Sequence, residues 1–307
     1  MARIAALFGG QGAQYPGMGK DFYDNFAQVR RIYECAGDIF GYDVAKTSFE
    51  GTPEELKKTE VAQSALYTMT AAAYSVARDF IGDAAATAGQ SLGEYAALCC
   101  AGAYSVEDGM RILRARIHAM GKAVREVEGT MYAVIGKEAP VVEAACEAVA
   151  GRVWAVNYNL PTQTVIAGEL EDTAKAAELL REQGAKVVRL DVDGAFHTPL
   201  MASAGPELAQ AARENRCVPT RLDFYSNLTG GRLVIEDYAD YLVRHMVSPV
   251  RMADQFRAMG EDGIDTCIEF GPKIVVALAK KNNRAFTALN IEDTASLKKA
   301  QEALGLA

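Results

Sequence analysis

Within GQSLGEYAAL, Gly89 to Leu98, one serine stands between two glycines and runs on into an alanine-rich segment of helical composition. A serine hydroxyl becomes a nucleophile when a sharp strand-to-helix turn projects it and small neighbours permit the strained backbone. The N–H groups that open the following helix then offer donors and a positive dipole end to a developing oxyanion. A plainer reading stands beside this one: Ser91 caps a helix and the glycines serve a tight turn. A nucleophilic serine also needs a base. The chain has three histidines, His118, His197 and His245. The pattern predicts His118 in mid-helix and His245 on a helix ending near Ser248-Pro249. His197, in GAFHTPLM, falls in a loop that follows a strand and returns to another domain, which makes it the best general-base candidate over a mere surface histidine. No aspartate declares itself as a third member.

The elements that must position these groups alternate between strand and helix. A strand at 3–8 leads into the loop GGQGAQYPGMG, and helices are predicted near 20–37, 53–58 and 62–80. Residues 84–88 are a strand by context alone, since alanine is a poor strand former. A helix over 92–102 follows, then another to about residue 123 with Ser105 and Asp108 as a capping box. The next stretch changes character. Strand 131–136, helix 141–150, strands 153–159 and 163–169 across Leu160-Pro161-Thr162, helix 172–184 and strand 185–192 give a βαββαβ order, that of a ferredoxin-like unit. Strand 266–272 and a helix near 273–283 then resume the first pattern. The expectation is an α/β domain interrupted by a small α+β insert, with residues 1–125 and 195–307 forming the catalytic domain and 126–194 the insert.

Composition narrows the function classes. A chain of 307 residues, half of them hydrophobic, can bury one large core and a smaller one. The five apolar residues Ile4 to Phe8 fall far short of a signal-peptide core or a membrane span. Cysteines at 35, 99, 100, 146, 217 and 267 form no CxxC pair and stand with no histidine at metal-ligand spacing. Structural thiols in a reducing cytoplasm are expected, rather than a disulfide frame or a zinc or other metal site. A net charge of −8 offers nothing general to a phosphate backbone, so nucleic acid and membrane are not expected partners.

FGGQGAQ, GQSLGEYAAL, LRARIHAM, VNYNLPTQTVIAG, GAFHTPLM, YSNLTG, SPVR and EFGP occur in that order over nearly the whole chain. Together they resemble the malonyl-CoA:acyl-carrier-protein transacylases of fatty-acid synthesis and the related acyltransferases of polyketide synthases. The resemblance implies an α/β-hydrolase-like large domain with a ferredoxin-like insert. It implies ping-pong transfer of malonyl from coenzyme A to acyl carrier protein through a malonyl-serine, by a monomer without a cofactor. An acyl-carrier-protein thioester hydrolase and a silent docking module are the alternatives from other classes, and a trans-acting polyketide acyltransferase shares the chemistry. Carried over by position, Ser91 is the nucleophile and His197 the base, the amides of Gln11 and Leu92 form the oxyanion hole, and Arg116 binds the malonyl carboxylate. The main-chain carbonyl that orients the base maps to His245, where the family usually has glutamine. Gln90 stands where the family usually has histidine, and Met252 where it often has tryptophan. In the related acyltransferases a phenylalanine before the base, here Phe196, goes with malonyl rather than methylmalonyl. Acyl carrier proteins are acidic, so docking on an acidic enzyme requires a local basic surface, for which Lys280, Lys281 and Arg284 are the densest cluster after the insert.

Overall fold

The computed structural model describes residues 2–306. Its strands, in chain order, are β1 (Ile4–Phe8), β2 (Ala86–Gly89), β3 (Gly129–Ile135), β4 (Val153–Leu160), β5 (Gln163–Glu169), β6 (Lys186–Arg189), β7 (Asp223–Tyr225), β8 (Thr266–Phe270) and β9 (Thr287–Ile291). They form two sheets. One is five-stranded and parallel throughout, in the order β7-β2-β1-β8-β9. The other is four-stranded and antiparallel, in the order β4-β5-β3-β6.

Parallel strands need crossovers, and crossovers bury both faces of the sheet. The sequence obeys this: IAALF and TCIEF are near-continuous apolar runs, buried along almost their whole length. The alanine-rich β2 forms because it lies between β1 and β7, where its small side chains let helices approach on both sides. Thr59–Ile81, long and buried over most of its length, packs against the helices Ala27–Phe40 and Val106–Glu126 to make the larger core.

Several local expectations are corrected. The helix predicted over 20–37 is two helices, Lys20–Asn25 and Ala27–Phe40, broken where Phe26 turns extended. Ser105 caps its helix by accepting from the Asp108 amide, but the return half of the box is absent because the Asp108 carboxylate bonds Arg111 instead. The strand predicted over 185–192 narrows to β6. β7 and β9 were not legible in the sequence: each is short and sits at a sheet edge, where one row of neighbours is missing.

The antiparallel sheet is tied to the segment that follows the Tyr238–Val247 helix. Beyond a bulge in β4, the Tyr158 amide donates to the Val250 carbonyl at 2.9 Å, and the Val250 amide donates to Val156 at 2.7 Å. The chain after Ser248-Pro249 is thereby pinned against β4, which fixes the carbonyls at the end of the Tyr238–Val247 helix.

Candidate active site

β2 ends at Gly89 and the next helix begins at Gly93, so Gln90, Ser91 and Leu92 must reverse the chain in three residues. Both glycines are required by contact. A Cβ on Gly89 would overlap the backbone of Gly93, and one on Gly93 would overlap the Phe8 carbonyl of β1. Ser91 takes the left-handed conformation, with φ of 52°. That region costs an L-residue roughly 1–2 kcal/mol and persists only where the surroundings impose it. Here Asn227 imposes it. Its Oδ1 accepts the Ser91 amide at 2.8 Å, its Nδ2 donates to the Gly89 carbonyl at 2.6 Å, and its own amide donates to Glu94 Oε1 at 2.6 Å.

His197 follows Phe196 on the loop beyond the antiparallel sheet and is the only other non-glycine residue with positive φ among those described, at 62°. Its Nε2 lies 2.7 Å from Ser91 Oγ. Its Nδ1 lies 3.2 Å from both the His245 and the Ser248 carbonyls. Two carbonyls can only accept, so Nδ1 carries the proton and Nε2 presents its lone pair to the serine hydroxyl. Burial, reinforced by the Arg116 charge, pushes the imidazole pKa down to about 4. His197 is therefore neutral at pH 7, the form a general base requires. The main-chain carbonyls of His245 and Ser248, rather than a carboxylate, stand at the position of a triad's third member.

These groups open onto a cavity of about 200 Å³ between the two sheets. Gln11, Gln90, Ser91, Leu92, Arg116, Phe196 and His197 all line it, so the structure brings together every residue assigned to the acyl site by position. β3, β4 and β5 close the opposite wall through Met131, Ala133, Asn157, Asn159 and Val165. Arg116 is 2 % exposed. Its Nη1 donates to Gln63 Oε1, its guanidinium lies over the Tyr95 ring at 5.2 Å, and its Nε has no partner. An amide and a ring leave this buried cation without a neutralising carboxylate, and burial lowers its pKa from the usual arginine value. Gln90 does not approach the base. Its Nε2 donates to Asn159 Oδ1 at 2.8 Å, tying the nucleophile turn to β4. The Gln11 side chain donates from Nε2 to Thr59 Oγ1 at 3.1 Å, and the residue lines the cavity.

Other candidates fall elsewhere. His118 is exposed and paired with Glu207. Met252 is buried, with Sδ 3.9 Å from Asn227 Nδ2, so it packs behind the turn. Lys280, Lys281 and Arg284 are all exposed, and Lys280 donates its ammonium to the Arg284 and Phe286 carbonyls at 2.7 Å each. Sequence reasoning missed Asn227, Glu94, Gln63 and the Ser248 carbonyl. Glu94 and Asn227 stood inside the quoted GQSLGEYAAL and YSNLTG, but only folding joins residues so far apart in sequence.

The chain is similar to known proteins over nearly its whole length. Residues 6–303 match the acyl transferase domain family. The malonyl CoA-acyl carrier protein transacylase of Bacillus subtilis (strain 168) is 33% identical over 310 residues, covering 99% of this chain and 98% of that one. The crystal structure of the corresponding transacylase from Clostridium perfringens superposes with a TM-score of 0.93 at 35% identity, over 99% of this chain and 98% of that one. A malonyl-transacylase in complex with its type II polyketide synthase acyl carrier protein superposes with a TM-score of 0.92 at 33% identity, over 98% of this chain and 100% of that one.

Proposed function

The chain belongs to the acyl transferase family, and on that premise we propose that Ser91 and His197 carry malonyl from coenzyme A to the phosphopantetheine thiol of acyl carrier protein. The activity is malonyl-CoA:acyl-carrier-protein transfer, in two half-reactions. In the first, Ser91 Oγ attacks the thioester carbonyl while His197 Nε2 takes the hydroxyl proton. The oxyanion gathers at the backbone amides of Gln11 and Leu92. Collapse breaks the C–S bond, the coenzyme A sulfur takes the proton from His197, and malonyl-Ser91 remains. In the second, His197 takes the proton of the incoming pantetheine thiol, the thiolate attacks the ester, and Ser91 leaves with that proton. Every step uses side chains and amides of this chain.

One observation carries the choice of acyl group: a buried arginine without a carboxylate partner lines the cavity that holds Ser91 and His197. Desolvating an unpaired cation is costly, and a site evolved for neutral acyl chains gains nothing from it. A malonyl carboxylate completes the pair, which disfavours a thioester hydrolase of neutral chains. Phe196 lines the same cavity, and the resemblance to acyltransferases in which a phenylalanine before the base goes with malonyl supports malonyl over methylmalonyl. The sheet orders support an α/β-hydrolase-like domain formed by residues 1–125 and 195–307 with a ferredoxin-like insert at 126–194, since β4-β5-β3-β6 is the 2-3-1-4 order of that unit. Six free cysteines suit a reducing cytoplasm.

Incubation with malonyl-CoA should add one malonyl mass on the peptide that holds Ser91, and acyl carrier protein should remove it. Ser91→Ala should abolish the adduct, and His197→Ala should slow both half-reactions by several orders of magnitude. Label on a cysteine, or on the Ser91→Ala protein, sinks the assignment. Running the second half-reaction with fatty-acid and polyketide carrier proteins side by side identifies the pathway served.

A further inference from the structure

The two strained residues of the site share one neighbour. The His245 carbonyl accepts from His197 Nδ1 at 3.2 Å. The imidazole of the same residue places Nε2 3.2 Å from Asn227 Oδ1 and 3.1 Å from Glu94 Oε2. Asn227 Oδ1 already accepts the Ser91 amide, and the bond from Asn227 Nδ2 to Gly89 fixes which end of the amide is oxygen. Asn227 Oδ1 can only accept, so Nε2 carries the proton toward it and the ring is its Nε2–H tautomer. Glu94 Oε1 accepts the Asn227 backbone amide at 2.6 Å, so the carboxyl and the imidazole hold one asparagine from two sides.

We propose, taking Ser91 and His197 as the reacting pair, that the His245 imidazole is a positioning residue that holds Ser91 through Asn227 while its carbonyl holds His197. One residue thus fixes both left-handed backbones relative to each other, and with them the Oγ to Nε2 approach of 2.7 Å.

The surroundings match this role better than a packing role. His245 is wholly buried, flanked by the His197 ring at 5.5 Å between centroids and the Tyr241 ring at 6.3 Å. Its Nδ1 is buried with no partner. An orphaned acceptor lowers stability, so a site serving packing alone would be better filled by an apolar side chain of the same size. What the imidazole supplies that an apolar group cannot is the Nε2–H aimed at Asn227. Glu94, Tyr95 and Arg116 complete its ionisable environment. Burial drives the His245 pKa far down and that of Glu94 up to about 8. The ring is therefore a neutral donor throughout the working range.

The test is a burst measurement of malonyl-Ser91 formation in the full chain. His245→Ala and His245→Met both keep the carbonyl and remove the donor, and the second also keeps the volume. Each should slow acylation about 10- to 100-fold, the order expected of a small misplacement of the nucleophile, with KM for malonyl-CoA nearly unchanged. His245→Gln returns an N–H donor and should recover most of the rate. In a double-mutant cycle, adding His245→Met to Asn227→Ala should cost nothing further. Met259→Ala, in the core on the other side of the parallel sheet, serves as a control of lowered stability that should leave acylation untouched. The inference is overturned if His245→Met acylates at the wild-type rate, if His245→Gln is as slow as His245→Met, or if the two losses simply multiply. Absence of label on wild-type Ser91 would instead sink the catalytic assignment itself, so the two failures are distinct.

Discussion

Removing the charge of Arg116 should reverse the order in which the enzyme prefers its thioesters. Malonyl and acetyl thioesters differ by one carboxylate, so selection between them rests on a cation in the acyl pocket. In the structure that cation is committed to no anion: Gln63 holds Nη1, the Tyr95 ring lies beneath, and Nε donates to nothing. At 2 % exposure a pair formed with malonate would be shielded from water, and the planar fork keeps donors for a carboxylate. Truncating one partner of such a buried pair costs roughly 2–5 kcal/mol, or about 30- to several-thousand-fold in kcat/KM. Acetyl-CoA makes no such pair and should lose little, or gain, once the buried charge is gone. Arg116→Lys keeps the charge but not the fork, and should fall between wild type and Arg116→Ala. The assay is kcat/KM for malonyl- and acetyl-CoA with each variant, using single-turnover acylation of Ser91. If Arg116→Ala lowers both substrates by the same factor, the guanidinium is a structural element and the selector lies elsewhere.

Other consequences can be measured directly. With His197 at about pKa 4, the acid limb of acylation should lie near pH 4 rather than near 6.5, and a rate-pH profile with a limb at the ordinary histidine value would contradict the buried, neutral base. Because that folded pKa is depressed below the unfolded value, unfolded chains bind a proton that the native one does not. Stability should therefore fall as pH drops from about 6.5 to about 4, and denaturant titrations of His197→Ala should show a weaker fall across this window. Gly89→Ala forces a Cβ into the Gly93 backbone and should destabilise by more than about 4 kcal/mol, visible as loss of the folded protein in thermal melts, whereas a mild effect would show the turn to be compliant. Charge reversal at Lys281 and Arg284, both exposed, should raise KM for acyl carrier protein while leaving the acylation half-reaction alone. Equal effects on both half-reactions would remove that face from the docking surface.

The nucleophile turn was legible in the chain because local constraints write it locally. Gly-x-Ser-x-Gly between a strand and a helix is a short-range steric statement, and the contacts of Gly89 and Gly93 with backbone show what it states. The βαββαβ order of the insert is likewise carried by period and turn residues within each element, down to the hairpin at Leu160-Pro161-Thr162. The short edge strands β7 and β9 lacked that signal, since their strand character comes from a neighbour rather than from their own pattern. Arg116 read locally as one of several arginines along a helix, and only the cavity makes it a buried cation. The same holds for the supports of the site. Asn227 lies 136 residues from Ser91 and His245 lies 48 residues from His197, and nothing in either segment announces its partner. A main-chain carbonyl in the place of an acid leaves no residue type to read at all. Backbone strain and its bracing are properties of segments brought together, so the sequence determined the candidate groups, and the tertiary structure decided how they are held, because only packing can impose a left-handed serine and histidine whose Oγ and Nε2 lie 2.7 Å apart.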